Sequence, residues 1–349
     1  SFPTRRSSDL INRRTPLLDK SGNLTQAGYA KSPLLTYRRA DIKANRLRIK
    51  EWDYYLVHND RFALALTIAD NSYMGMASIS LIDFEECWEI TKSPIKFMTM
   101  GKIGMPESSE YGDAQFSGSG YGLFFRNNGT SRTLIAHMDN FGPKGPISAK
   151  VTLTDAPGES MVIAIPFKQK GHFYYNQKIN CMRAQGQVSY GGVTYEFQPK
   201  NSFAVLDWGR GVWPYHNTWY WGSASGLVKG VPFGFNIGYG FGDTSAATEN
   251  MLFYEGKAHK LSQVKFNIPV SHDGREQYLK PWTFTSDDGR FEMDFFPIID
   301  RAAYISLGPL MSDQHQVFGR FTGNAVLDDG RTIKIKDFLG FAEKVENKW

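Results

Sequence analysis

The sequence predicts an all-β protein made of two tandem antiparallel β-barrels. Apolar and polar residues alternate along most of the chain, which is the side-chain period of a half-buried strand. Turn signals recur about every 8 to 12 residues, the spacing of barrels and sandwiches. The chain has 349 residues, too many for one core, since single cores stop growing near roughly 250 to 300 residues.

Alternation is already present at Leu64, Leu66 and Ile68. From Ile147 to Phe167 the text reads as a hairpin, with Ile147, Ala149, Val151 and Leu153 on one face, Asp155-Ala-Pro-Gly158 as the turn, and Met161, Ile163 and Ile165 returning. The same grammar follows at Phe291, Met293 and Phe295, and again at Ile333 and Ile335 after Asp328-Asp-Gly330. Short segments at Phe84–Ile90 and Lys336–Lys344 are the best helical candidates, though each also fits strand or loop. The polar stretch Lys168–His172 suggests a boundary nearby, giving a first barrel over 11–175 and a second over 176–349. The opening SFPTRRSSDL resembles the conceptual translation of a DNA sequencing adapter, so residues 1–10 are expected to be foreign to the fold.

Composition excludes several classes of function. Forty basic residues face 35 acidic ones, a net charge of +5 without any long basic block, so no nucleic-acid partner is expected. The densest basic stretch, Arg38 to Lys50, is interrupted by Asp41 and reads as a solvated face. Two distant cysteines, Cys87 and Cys181, form neither a zinc motif nor a disulfide framework. No apolar run of about 18 residues marks a transmembrane segment. The histidines are dispersed, so no metal site and no cofactor is expected, and no GxSxG or HExxH motif is present. Nothing fixes an oligomeric state.

Aromatic residues make up 14% of the chain. Their densest segment, Asn201 to Gly226, holds Trp208, Trp213, Trp219 and Trp221, interleaved with Asp207, Arg210, Tyr215 and His216. An aromatic wall with a few polar groups is the composition of a small-molecule pocket. Asp207, Arg210, Tyr215 and His216 are therefore the candidate catalytic residues, and the four tryptophans candidate ligand contacts. Two readings of Asp207 compete: a structural ion pair with Arg210 across a glycine-flanked bend, or a carboxyl whose pKa is raised among indoles and which delivers a proton. The cluster Gly171 to Lys178 adds Tyr175, Asn176 and Lys178 as candidate ligand contacts, with His172 beside them. The run Gly234 to Asp243 lacks a following helix and a GK[ST], so its glycines read as close backbone approach rather than a phosphate loop.

The segments RTPLLDKSGNLTQAGYAKSPLLTY, LRIKEWDYYLV and DWGRGVWPYHNTWYWGSASG, with the closing VFGRFTGNAVLDDGRTIKIKDFLGFAEKV, resemble the bacterial family called domain of unknown function 2804, from about residue 14 onward. That family is in turn distantly similar to lipocalin-like (calycin-type) two-domain proteins, the relatives of carotenoid 1,2-hydratase and tocopherol cyclase. The resemblance implies lipocalin-like barrels and maps an alkene-protonating Asp onto Asp207, while the GRGVWPY continuation and its Arg210 depart from those relatives. It also implies that few native residues are lost at the start, and hence a cytoplasmic protein. The expected function is binding of a hydrophobic or amphiphilic small molecule, with acid-catalysed hydration, cyclisation or isomerisation. A non-catalytic lipid-like carrier and a carbohydrate-active protein using Trp stacking are the alternatives.

Overall fold

The computed structural model describes residues 9–308 and 310–348. They form two large antiparallel sheets, one short parallel pair of Thr15–Pro16 with Leu35–Thr36, and two short 3-10 turns, Arg39–Asp41 and Arg46–Arg48. In the first large sheet the path runs Trp88–Lys92, Met74–Asp83, Phe62–Asp70, Ile49–His58, Phe203–Val212, Phe173–Tyr190, Gly145–Thr154, Arg132–Gly142, Tyr121–Asn127, Ala114–Gly118. The sheet curls until its far sides meet, where Lys96 Nζ donates to the Ser117 carbonyl at 2.6 Å. The second sheet runs Lys257–Lys260, Met251–Tyr254, Val231–Tyr239, His216–Val228, Thr332–Lys348, Leu310–Val326, Phe291–Leu307, Trp282–Ser286, Val264–Asn267. Its ends approach in the same way, the Phe266 amide donating to the Tyr239 hydroxyl at 3.4 Å.

Each sheet wraps its own apolar core, built from residues two apart along the strands, as the period of 2 requires. A third cluster lies between the barrels and forms a seam. Tyr54, Leu56 and Val205 enter it from the first barrel, Trp221, Phe318 and Phe341 from the second.

The boundary expected at 175/176 falls inside the strand Phe173–Tyr190, and the change of sheet comes between Val212 and His216. The physical reason is that this 18-residue strand serves several partners. The segment expected to form a hairpin over 147–167 does not pair with itself: Gly145–Thr154 pairs with the C-terminal part of Phe173–Tyr190, and Met161–Pro166 with its N-terminal part. The faces were read correctly, since Ile147, Ala149, Val151 and Leu153 are all buried. Neither helical candidate is a helix. Trp88–Lys92 is a strand, and 336–344 lies within the strand Thr332–Lys348.

Of the segment expected to be foreign, residues 1–8 lie outside the described residues, but Asp9 and Leu10 are built into the fold. The Asp9 amide donates to the Ala246 carbonyl at 3.0 Å, and its own carbonyl accepts from Tyr29 N at 2.9 Å. Leu10 bridges to Tyr29. The basic stretch is not a simple solvated face either: Lys50 is fully buried, Arg39 reaches Glu51 at 2.5 Å, and Arg48 Nη2 donates to the Trp213 carbonyl at 2.8 Å.

Candidate active site at the seam between the barrels

Strand parity sorts the candidate residues. Along Phe203–Val212, residues an odd number apart point to opposite sides of the sheet. Asp207 therefore faces the seam, whereas Trp208 and Arg210 face the interior of the first barrel. Of the two readings of Asp207, the ion pair with Arg210 does not form, because residues three apart on a strand cannot share a face. Arg210 instead pairs with Asp53 at 3.0 Å. Its Nη1 also donates to the Trp52 and Gly209 carbonyls, its Nη2 to the Pro106 carbonyl, and its guanidinium lies 4.2 Å from the Trp208 ring. Tyr175 belongs to this interior side as well, packed edge-on against Trp208 at 5.5 Å, with its hydroxyl donating to the Leu35 carbonyl.

The neighbouring strand delivers the partners that Asp207 does have. Lys178 is directly across from Asp207 in the ladder, and its ammonium sits 2.8 Å from Asp207 Oδ1. Asn176 Nδ2 donates to the same oxygen at 2.6 Å. From the second barrel, the Trp221 ring lies under the Lys178 ammonium at 3.8 Å, a favourable cation–π placement. The Trp221 indole N–H then donates to Asn236 Oδ1 at 2.7 Å, and Asn236 Nδ2 to Glu249.

The seam also contains a carboxyl absent from the candidates read in the sequence. Glu343, cross-strand from Trp221, receives the Trp219 indole N–H at 2.9 Å on Oε1 and the Gln316 amide at 3.0 Å on Oε2. Burial pushes its pKa up to about 7, and nearby Asp207 adds to the shift, against the Trp219 hydrogen bond and the positive charges of Arg301 and Lys178. Glu249 is raised for the same first reason, burial, opposed by Lys178. Three buried carboxyl groups thus share the field of one central ammonium. Tyr54 reaches Gln316 and stacks edge-on to Trp221 at 5.8 Å, its hydroxyl raised to about 12 by burial.

Above this polar set is an aromatic cluster. Trp213 packs against Trp52 at 4.9 Å, Phe241 at 4.7 Å and Trp219 at 6.0 Å. Gly209 is what lets Trp52 lie flat on the sheet: a Cβ there would come within 1.8 Å of the indole. Gly238 likewise fits close approach, since a Cβ would meet Glu249 Oε1 at 2.6 Å. Trp52 and Trp219 are half-buried, the others buried. The pocket expected among these indoles is not open: they pack against one another, and the small cavity beside the seam, lined by Leu56, Val205, Ser223, Phe318 and Phe341 among others, is about 10 Å³, room for about one water.

Two further candidates lie at the surface. Tyr215 is 48% exposed, and His216 is exposed and paired with Glu346 at 2.8 Å. His172 caps its own turn through the Lys170 carbonyl. The seam thus unites Asp207, Asn176, Lys178, Trp213, Trp219 and Trp221, and separates them from Trp208, Arg210, Tyr175, Tyr215 and His216. Glu343, Gln316, Tyr54 and Trp52 were missed. For Glu343 the signal was legible: Leu339, Phe341, Glu343 and Val345 alternate as one strand face, a lone carboxyl in an apolar row, which a helical reading of 336–344 obscures. Among the described residues no group of three or more His, Cys, Asp or Glu is arranged to hold a metal ion, and no helix is long and apolar enough to cross a membrane.

The family model for Domain of unknown function (DUF2804) matches residues 8–349. The chain belongs to this family. No curated protein matches it. Among solved structures, an AttH-like protein of Nitrosomonas europaea superposes with a TM-score of 0.54 at 12% identity, covering 95% of this chain and 98% of the other. Kievitone hydratase of Nectria haematococca superposes with a TM-score of 0.45 at 11% identity, covering 96% and 98%. The first likeness shows a shared fold, the tandem lipocalin-like barrels; the second is too loose to add to it. For a DUF2804 chain, the chemistry must be argued from the seam itself.

Proposed function

We propose that this DUF2804 protein binds a hydrophobic or amphiphilic small molecule at the seam and protonates it from Glu343. The observation that carries the reading is a buried carboxyl held between an indole N–H and a carboxamide, where burial pushes its pKa up to about 7. A general acid works best when its pKa lies near the working pH. At neutral pH a good fraction of Glu343 carries the proton, unlike a solvated carboxyl.

An apolar ligand would enter at the half-buried Trp52 and Trp219 rings and would have to part them, since the space beside the seam holds only about one water. Proton transfer from Glu343 to an alkene carbon leaves a carbocation, which indole and phenol faces stabilise through their quadrupoles. Water then adds its oxygen to the cation and returns a proton to the Glu343 carboxylate, giving net hydration. Loss of a different proton gives isomerisation, and attack by an internal double bond gives cyclisation. Asp207, fixed by Lys178 and Asn176, supplies negative charge near the developing cation.

The test uses purified protein incubated in deuterated water with a panel of isoprenoid alkenes, followed by mass spectrometry. Turnover with deuterium incorporated at carbon is expected, falling by about 100-fold or more in Glu343→Gln. Turnover unchanged in that variant overturns the assignment. Ligand retention without turnover in either protein points to the carrier reading.

A further inference from the structure

Arg301 stands at the rim of the seam. It is cross-strand from Gln316, the carboxamide that donates to Glu343, and its Nη1 donates to Ser80 Oγ of the first barrel at 2.8 Å. Among the described residues this half-buried guanidinium forms no ion pair. Nε is shut away without a partner, whereas Nη2 also lacks a hydrogen bond but keeps accessible surface. The nearby acids are engaged elsewhere. Glu343 feels the charge of Arg301 yet accepts from Trp219 and Gln316, and Asp300 bonds His315 on the opposite face of the strand. A guanidinium drawn out of water without a counter-charge is costly, and an incoming anion offsets that cost.

Two contacts fix how the barrels run past this point. Phe84 packs against Phe318 at 5.4 Å, at the level of Ile299, and Ser80 meets Arg301. The strand Met74–Asp83 therefore runs opposite to Phe291–Leu307, and residues before Ser80 face residues after Arg301. By strand parity the facing positions are Ser78 and Met76 on one side, Ala303 and Ile305 on the other. Ile95 and Phe97 continue the first wall on the next strand. None of these positions carries an acid, and Glu89, cross-strand from Ile82, lies beyond Ser80 in the other direction. Packed sheets lie about 10 Å apart with side chains filling the gap, but here Ile305 is 63%, Phe97 74% and Ile95 45% exposed. The two walls bound an open apolar groove that ends at a guanidinium.

We propose that this groove takes an amphiphile with one apolar chain and a carboxylate head, the head on Arg301 Nη2 and the chain along Ile305, Ile95 and Phe97. Charge complementarity selects the head, since the one charged group facing the groove is a cation without a partner among the described residues. Spacing selects the chain: Ile305 is four residues from Arg301, about 13 Å along the strand, beyond the reach of a short acid. This rests on the reading of the seam as a ligand site and names the class of ligand that it takes.

The full chain is titrated by calorimetry, below micelle-forming concentrations, with decanoate, decanol, decyltrimethylammonium and acetate. Decanoate is expected to bind about tenfold more tightly than decanol, with the cation weaker than both and acetate undetected. Arg301→Gln should bring decanoate to the level of decanol. Ile305→Ser and Phe97→Ser should each weaken both probes about threefold while keeping their ratio. Ile305 and Phe97 are exposed, so their variants remain informative if Arg301→Gln fails to fold. The probes have no alkene, so the result stands whether or not Glu343 donates a proton. Absence of decanoate binding overturns the proposal, as does a preference for decanoate that survives Arg301→Gln. Binding indifferent to both serine variants, or no tighter than that of decanol or the cation, overturns it equally. A dimer in light scattering that dissociates in Ile305→Ser, with no decanoate bound, assigns the groove to a second copy of the chain instead.

Discussion

Two buried ion pairs sit on opposite faces of the strand Phe203–Val212, one reaching each neighbouring strand, and they are built differently. On the inner face of the first barrel, Arg210 and Asp53 are locked by the carbonyls of Trp52, Gly209 and Pro106. On the outer face, Lys178 and Asp207 face a second barrel that contributes Trp221, Glu249 and Glu343. Arginine's planar fork can satisfy several acceptors at fixed angles, whereas lysine is a point charge that several carboxyl groups must share. The inner pair is consequently a brace. The outer set includes Glu343, which burial above all, against the pull of Arg301 and Lys178, keeps protonated to near neutrality.

The largest expected effect tests the brace. Arg210→Met leaves Asp53 and Glu51 buried without the guanidinium that opposes the upward push of burial on both, and urea unfolding should show a loss of about 3–5 kcal/mol. A loss below about 1 kcal/mol would mean that the two faces do not differ as described.

The next effect belongs to the seam and is read as a pH dependence. The folded-state pKa of Glu343, about 7, lies above the ordinary value of 4.5. The folded protein therefore holds this proton more tightly than the unfolded chain. The associated stability is fully present below about pH 4.5 and is lost as pH rises toward 7, a swing of about 3 kcal/mol. Subtracting the stability profile of Glu343→Gln from that of the wild type should reveal this slope. A flat difference between pH 4 and 8 would place the ionisation elsewhere.

Gly209→Ala sharpens the comparison by forcing Trp52 off the sheet, since the new methyl would meet the ring. A destabilisation of about 1–3 kcal/mol is expected in thermal unfolding, with Trp52 fluorescence altered while the Arg210 side is kept. The smallest effect is that of Trp219→Phe. It removes one hydrogen bond, about 1 kcal/mol, and because that bond lowers the Glu343 pKa, the titration of a ¹³C-labelled Glu343 carboxyl should move upward. A downward movement would contradict the assigned hydrogen bond.

How much of this was legible in the sequence depended on range. Alternation carried the fold class and the faces of Ile147 to Leu153, since each strand's period is a local property. Partner choice is not local: the turn at Asp155–Gly158 looked like a hairpin, yet both flanking strands pair with Phe173–Tyr190. The aromatic density at 208–221 contributes Trp213, Trp219 and Trp221 to the seam, while Trp208 falls in the interior of the first barrel. Parity within the strand could have separated Asp207 from Arg210 before any coordinates, and Asn176 and Lys178 from Tyr175. The pairing of Lys178 with Asp207 and the approach of Glu343 could not be read, because they depend on register across 29 residues of sequence in one case and on barrel docking in the other.

The seam has one more consequence, for the order in which the molecule is made. Lys178 and Asp207 come from the first barrel, Trp219 and Trp221 from the strand that follows it, and Glu343 from Thr332–Lys348, after every other strand in chain order. During synthesis the first barrel can close with its ion pair before Glu343, the proton donor we propose, has been made. On that proposal, a nascent or truncated chain lacks the acid until the last-made strand docks and its carboxyl is shut away from water.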